Sequence, residues 1–160
     1  MPQLILDNRT VVSVDGPDAE HFLQNIVTAD LDKLGRGEAA PGALLSPQGK
    51  IQYDFLISRH GEQGFLLDLD KALADDFVRR LMLYRLRAKV EIGKQDQLLV
   101  VVSWRIDSAS SQSDSTASQT DSTLSDRRFP AEAGVRRAYT TEAPAADATP
   151  ADWIALRIRH

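Results

Sequence analysis

Ile51-Gln52-Tyr53-Asp54-Phe55-Leu56-Ile57-Ser58 sets large apolar residues on its odd positions and a mixed set on its even ones, and His60-Gly61-Glu62-Gln63-Gly64 and Phe65 to Leu69 follow. A period of two over eight residues marks a strand, because successive side chains leave a pleated chain on opposite faces. The turn Ser46-Pro47-Gln48-Gly49 before it and the glycine-flanked turn after it make it an arm of hairpins. The sheet built around it is therefore expected to be antiparallel.

Asp54 is the unusual residue of this stretch, since aspartate is depleted in strand interiors. It shares a face with Gln52 and Leu56, whereas Tyr53, Phe55 and Ile57 point the other way. With the loop centred near Gly61, the numbers of facing residues sum to about 122, which sets Asp68 opposite Asp54. Two carboxylates that close would raise one pKa and make a better general acid or base. A register slip of one or two residues removes the pairing, and the alternative reading is the solvated face of an edge hairpin.

Outward from the hairpin, Val11, Val12 and Val14 form a short strand that Asp15-Gly16-Pro17 ends, with proline placed for a helix start. Ala19, Phe22, Leu23 and Ile26 fall at i, i+3, i+4 and i+7 and predict a helix from Asp18 to Val27, closed by Thr28-Ala29-Asp30. Leu73, Phe77, Leu81 and Tyr84 predict a second helix from Lys71 to Leu86. Arg79, Arg80, Arg85 and Arg87 lie towards its C-terminal half, either as a receiver for an anionic ligand tail or as a solvated helix face. Further strands are expected at 90–92, 98–104 and 135–140, and a last helix at 151–160. Helices on one side of a mostly antiparallel sheet define an α+β class.

Between Ser108 and Ser125, eleven of eighteen residues are Ser or Thr, and Asp114-Ser-Thr-Ala-Ser118 recurs as Asp121-Ser-Thr-Leu-Ser125. So polar a stretch buries too little apolar surface to offset its ordering entropy. The expected organisation is an α+β domain over 1–104, a Ser/Thr-rich flexible insertion over 105–134, and the truncated start of a second domain over 135–160. Residues 143–150 read as an Ala/Pro linker.

The whole chain has 160 residues, 42% of them hydrophobic, with a net charge of −4. That balance argues against a phosphate-tracking nucleic-acid binder, so no direct DNA binding is expected. Zero cysteines remove thiolate chemistry from these residues, and His21, His60 and His160 have no ligand spacing, so no metal is expected. No apolar run approaches the roughly 20 residues of a spanning helix. With no signal or transit pattern, the expected compartment is cytoplasmic.

Four motifs taken together carry a family resemblance. Val14-Asp-Gly-Pro-Asp-Ala19, Phe22-Leu-Gln24 with Val27-Thr-Ala-Asp30, Ala43-Leu-Leu-Ser-Pro-Gln-Gly-Lys50 with Tyr53-Asp54, and Leu83-Tyr-Arg-Leu-Arg87 with Lys89-Val90 resemble, in this order, the N-terminal half of YgfZ-type folate-binding proteins. These are relatives of the glycine-cleavage aminomethyltransferase, and the likeness is closest to the branch associated with iron-sulfur cluster assembly and repair. It spans roughly Leu4 to Trp104, and Trp153 to His160 looks like the family's next helix. The resemblance implies a GcvT-like fold with tetrahydrofolate in a central channel. Asp54 takes the place of an aspartate that lies by the folate and assists its one-carbon chemistry, which makes it the catalytic candidate. Thr28, Asp30, Tyr53 and Asp54 are the implied folate-binding set. Tyr53-Asp54 stands where aminomethyltransferases tend to show two adjacent aspartates, and Ala29 departs from a Thr-Asn-Asp turn. The family's Lys-Gly-Cys-Tyr-x-Gly-Gln-Glu segment is expected beyond His160. The implied partners are folate and iron-sulfur assembly proteins or client enzymes. The alternatives are a folate-dependent aminomethyltransferase and an interaction module with a vestigial pocket.

Overall fold

The computed structural model describes residues 3–104, 123–142 and 148–159. The alternation at 51–58 forms the strand β4 (Ile51–His60), which pairs on either side with β3 (Glu38–Leu45) and β5 (Gly64–Asp70). Around these three lie β1 (Gln3–Ile5), β2 (Arg9–Asp15), β6 (Glu91–Lys94), β7 (Leu99–Ser103), β8 (Thr123–Asp126) and β9 (Arg136–Thr140). Among the described residues they make one sheet in the order β1-β7-β9-β8-β3-β4-β5-β2-β6. All pairings are antiparallel except that of β3 with β8, which run parallel at Glu38 and Ala39. The α+β, mostly antiparallel architecture read from the sequence is the one observed, and the β4–β5 hairpin lies inside the sheet rather than at its edge.

The register departs from expectation by two residues. His60 faces Gly64 and Leu56 faces Asp68, so facing numbers centre on Glu62 instead of Gly61. The tight loop explains this: Gly61 takes a positive φ of 65°, and a Cβ on Gly64 would sit 2.7 Å from the His60 carbonyl oxygen. Asp54 therefore faces Ala43 of β3, and the expected carboxylate pair with Asp68 does not form.

Two cores result. Tyr53, Phe55 and Ile57 pack with Phe22 and Leu23 of α1 (Ala19–Ile26) and Phe77 and Leu81 of α2 (Ala74–Arg85). On the other side Leu4, Val11, Leu66 and Val102 join Trp104 and Trp153, the latter from α3 (Pro150–Arg159), and the two indoles lie 5.8 Å apart. Each fully buried Leu or Phe contributes about 1.5–3 kcal/mol, so these stripes dominate the stability of the sheet.

Residues 105–122 of the expected insertion and 143–147 of the expected linker lie outside the described residues. Thr123–Asp126, assigned to the insertion, is instead the strand β8, because Leu124 is buried against Ala39 and Leu56 and the backbone bonds to β3. Ala131–Ala133 is a 3₁₀ turn. Arg136–Thr140, expected to open a second domain, pairs with β7 and β8 in the same sheet.

Candidate functional site

The ladder between β4 and β5 stops at Leu56 and Asp68, so Asp54 has a strand partner on one side only. Its carboxylate is exposed, and among the described residues it has no hydrogen bond or ion pair. It lines a cleft of about 460 Å³ whose other walls include Arg9, Arg128, Arg137, Trp153 and Arg157. On the same strand face, the side-chain oxygen of Gln52 is buried without a hydrogen-bond partner.

Beside the cleft lies a cluster of buried charges that periodicity did not reveal. Asp68 is fully buried and accepts from Arg9 Nε at 2.8 Å, Arg137 Nη1 at 2.9 Å and Tyr139 Oη at 3.1 Å. Arg9 Nη2 also donates to the Asp68 carbonyl at 2.7 Å. Asp126, equally buried, takes a two-point grip from Arg128 at 3.0 and 2.8 Å. A carboxylate without such partners would be costly to bury, so Asp68 is held in place by the strands it joins. Burial first, and then the Asp68 charge, push the Tyr139 phenol well above its ordinary value. Burial works to lower Arg128, but the Asp126 hydrogen bonds and charge outweigh it and raise the guanidinium. Arg137 is 2% exposed, and its Nε, 3.5 Å from Asp126, has no hydrogen-bond partner.

The remaining sequence candidates separate. Thr28 sits on the far side of β3: Ala43 N donates to Thr28 Oγ1 at 2.9 Å and Thr28 N donates to the Ala43 carbonyl at 3.0 Å. Since Ala43 faces Asp54, Thr28 and Asp54 are two strand spacings apart, about 10 Å. The Gln24 amide clamps the turn that follows Thr28, donating to the Ala29 carbonyl and accepting from Leu31 N. Asp30 caps the 3₁₀ turn Leu31–Lys33 by accepting from Asp32 N. Tyr53 is buried on the α2 side, where its hydroxyl donates to Asp76 and its ring meets Phe77 at 5.2 Å. Desolvation first and the Asp76 hydrogen bond second raise its phenol. Only Asp54 of the four lines the cleft. The arginines of α2 lie on the Tyr53 side of the sheet, away from Asp54, so a ligand tail reaching them from the cleft would have to cross the sheet.

The family model described as the GCVT N-terminal domain matches residues 6–103. The chain belongs to this family. Among its relatives are the human "Iron-sulfur cluster assembly factor IBA57, mitochondrial", 34% identical over 68% of this chain and 33% of that protein. Another is the "tRNA-modifying protein YgfZ" of Vibrio vulnificus, 31% identical over 64% of this chain and 32% of that protein. The "Iron-sulfur cluster assembly factor IBA57 homolog, mitochondrial" of Pyricularia oryzae is 36% identical over 57% of this chain and 24% of its own length. The chain thus spans about a quarter to a third of these relatives. A solved structure, the glycine cleavage system aminomethyltransferase T from Bartonella henselae, superposes with a TM-score of 0.57 at 19% identity, covering 63% of this chain and 28% of that one. At that identity the likeness establishes the GcvT-like fold. The YgfZ/GcvT-like resemblance carried by the four motifs is borne out, and no helix among the described residues is long and apolar enough to cross a membrane.

Proposed function

We propose that this chain is the tetrahydrofolate-binding part of a YgfZ-type factor that supports assembly or repair of iron-sulfur enzymes. The observation that carries the proposal is Asp54: a carboxylate on a strand, facing a cleft, with no partner among the described residues. Carboxylates that serve the fold are paired, as Asp68 and Asp126 are. An unpaired one in a concave site suits a ligand with N–H donors. A volume of about 460 Å³ accommodates a drug-sized molecule. The arginines and Trp153 that line the cleft fit a ligand that is also aromatic and carboxylated. Tetrahydrofolate has these features and, when bound, supplies a carrier for one-carbon units.

Asp54 would hold the amine-bearing end and is the residue to which any proton handling in one-carbon transfer is assigned. Arg157 would meet a carboxylate. Thr28 and Asp30 would act by fixing β3 beside Asp54, and Tyr53 by anchoring β4 to α2. The names of the IBA57 relatives support the iron-sulfur role, with assembly proteins or client enzymes as partners. A cytoplasmic location is part of this proposal; the named relatives include mitochondrial proteins.

Calorimetric titration of tetrahydrofolate into the chain and into Asp54→Ala tests the reading. Hydrogen bonds to a charged acceptor contribute about 1.5–3 kcal/mol, so the variant is expected to bind about ten- to a hundredfold more weakly. Absence of binding by the parent chain overturns the function, and full binding by Asp54→Ala overturns the assignment of that residue.

A further inference from the structure

The C-terminal half of α2 and the turn after it carry a surface that the folate cleft does not use. Between Phe77 and Val90 stand Arg79, Arg80, Arg85, Arg87 and Lys89 without one acidic residue, in a chain whose net charge is −4. Among the described residues only Arg79 of these has a carboxylate in ion-pair range, Asp76 at 3.8 Å. Interleaved with these cations are Leu83 at 68% and Leu86 at 86% exposure, beside Met82 and Tyr84. Tyr84, 37% exposed, lies in the same turn as Leu83. Single exposed leucines are ordinary, but a cluster of them ringed by cations marks a contact surface.

The backbone at the apex adds a second, independent observation. Leu86 has φ 47° and ψ −110°, a conformation that suits glycine and that a bulky side chain seldom adopts. The chain therefore presents a leucine outward at a position where folding alone would favour glycine.

We propose that this surface docks an acidic amphipathic helix of a partner protein. The helix would lay apolar side chains on Leu83 and Leu86 and set carboxylates against Arg85, Arg87 and Lys89. A nucleic-acid backbone would use the cations but leave the leucines in water. An anionic bilayer lying along α2 would meet Asp75 and Asp76, exposed in its first turn, and be repelled there.

The probe is a fluorescein-labelled synthetic peptide with leucine at i, i+3, i+4 and i+7 and glutamate between, titrated with the chain and followed by anisotropy. Saturable binding is expected, weakened at least about tenfold in Leu86→Gly and in the Arg85→Glu/Arg87→Glu double variant. Leu86→Gly keeps its thermal midpoint because glycine fits that backbone, so weaker binding cannot be ascribed to unfolding. A control peptide with serine for leucine is expected not to bind. The proposal is overturned by absence of saturable binding, by binding that both variants retain, by equal binding of the serine peptide, or by the parent chain binding phosphatidylglycerol/phosphatidylcholine vesicles as well as it binds the probe.

Discussion

Asp68 of β5 and Arg137 of β9 form a buried ion pair at 2.9 Å across 69 residues of sequence. With Arg9 of β2 at 2.8 Å on the other oxygen, a single carboxylate joins three strands that are not adjacent in the chain. Asp54, fourteen residues before it in the sequence, has no such attachment among the described residues. The two aspartates of one hairpin thus divide the work, one holding the fold and one facing the cleft.

That division predicts opposite mutational responses. Asp68→Asn takes from Arg9 its counter-charge and leaves the buried Arg137 with Asp126 alone at 3.5 Å, and it is expected to destabilise the chain by about 3 kcal/mol or more. Asp54→Asn removes no hydrogen bond or ion pair among the described residues and is expected to stay within about 0.5 kcal/mol. Urea unfolding of both variants measures this, and similar losses in the two would contradict the assignment.

Tyr139 predicts an alkaline limit. Burial and the Asp68 charge hold its phenol well above 10.0 in the folded chain, whereas the unfolded chain ionises near that value. Above it the unfolded state releases a proton that the folded state keeps, so the stabilisation is complete below about pH 10 and is lost as pH rises further. Tyr139→Phe is expected to be about 1 kcal/mol less stable at neutral pH, for want of the hydrogen bond to Asp68. Its deficit should shrink above pH 10, which urea midpoints measured across pH would reveal. A constant difference would show that the phenol is not held neutral.

Gly42 predicts sensitivity at the Thr28 turn. A Cβ there would lie 2.8 Å from Phe55 Cε1 and 3.1 Å from the Ala29 Cβ. Gly42→Ala is expected to cost about 1–3 kcal/mol through overpacking, and to shift amide resonances at Thr28 and Ala29 while leaving Trp153 unchanged. Unaltered stability would mean that the ring moves aside freely.

Much of the frame was legible because it is periodic. The helices at Ala19–Ile26 and Ala74–Arg85 follow the i, i+3, i+4 stripes, and β4 follows its alternation. β3 was hidden over Glu38–Ala43, where Ala, Pro and Gly give no strand signal; Pro41 is tolerated because β8 bonds to β3 only at Glu38 and Ala39. β8 was hidden in a Ser/Thr-rich stretch, where the burial of Leu124 overrode composition. Asp54 stood out as a charge in a strand, but the partners of Asp68 did not. Arg9 and Arg137 lie 59 and 69 residues away, and an ion pair at such separation leaves no periodic trace.

The placement of β1 bears on how the chain acquires its structure during synthesis. Gln3 pairs with Ser103 and Ile5 with Val101, so β1 has no β7 ladder to join until about a hundred further residues have emerged. The hairpin of β4 and β5 closes locally and can form early, whereas Leu4 must wait, exposed, for Val102. Of the two cores, the one that holds Trp104 and Trp153 is therefore the last to shut, and tryptophan fluorescence would report the final step of folding rather than the first.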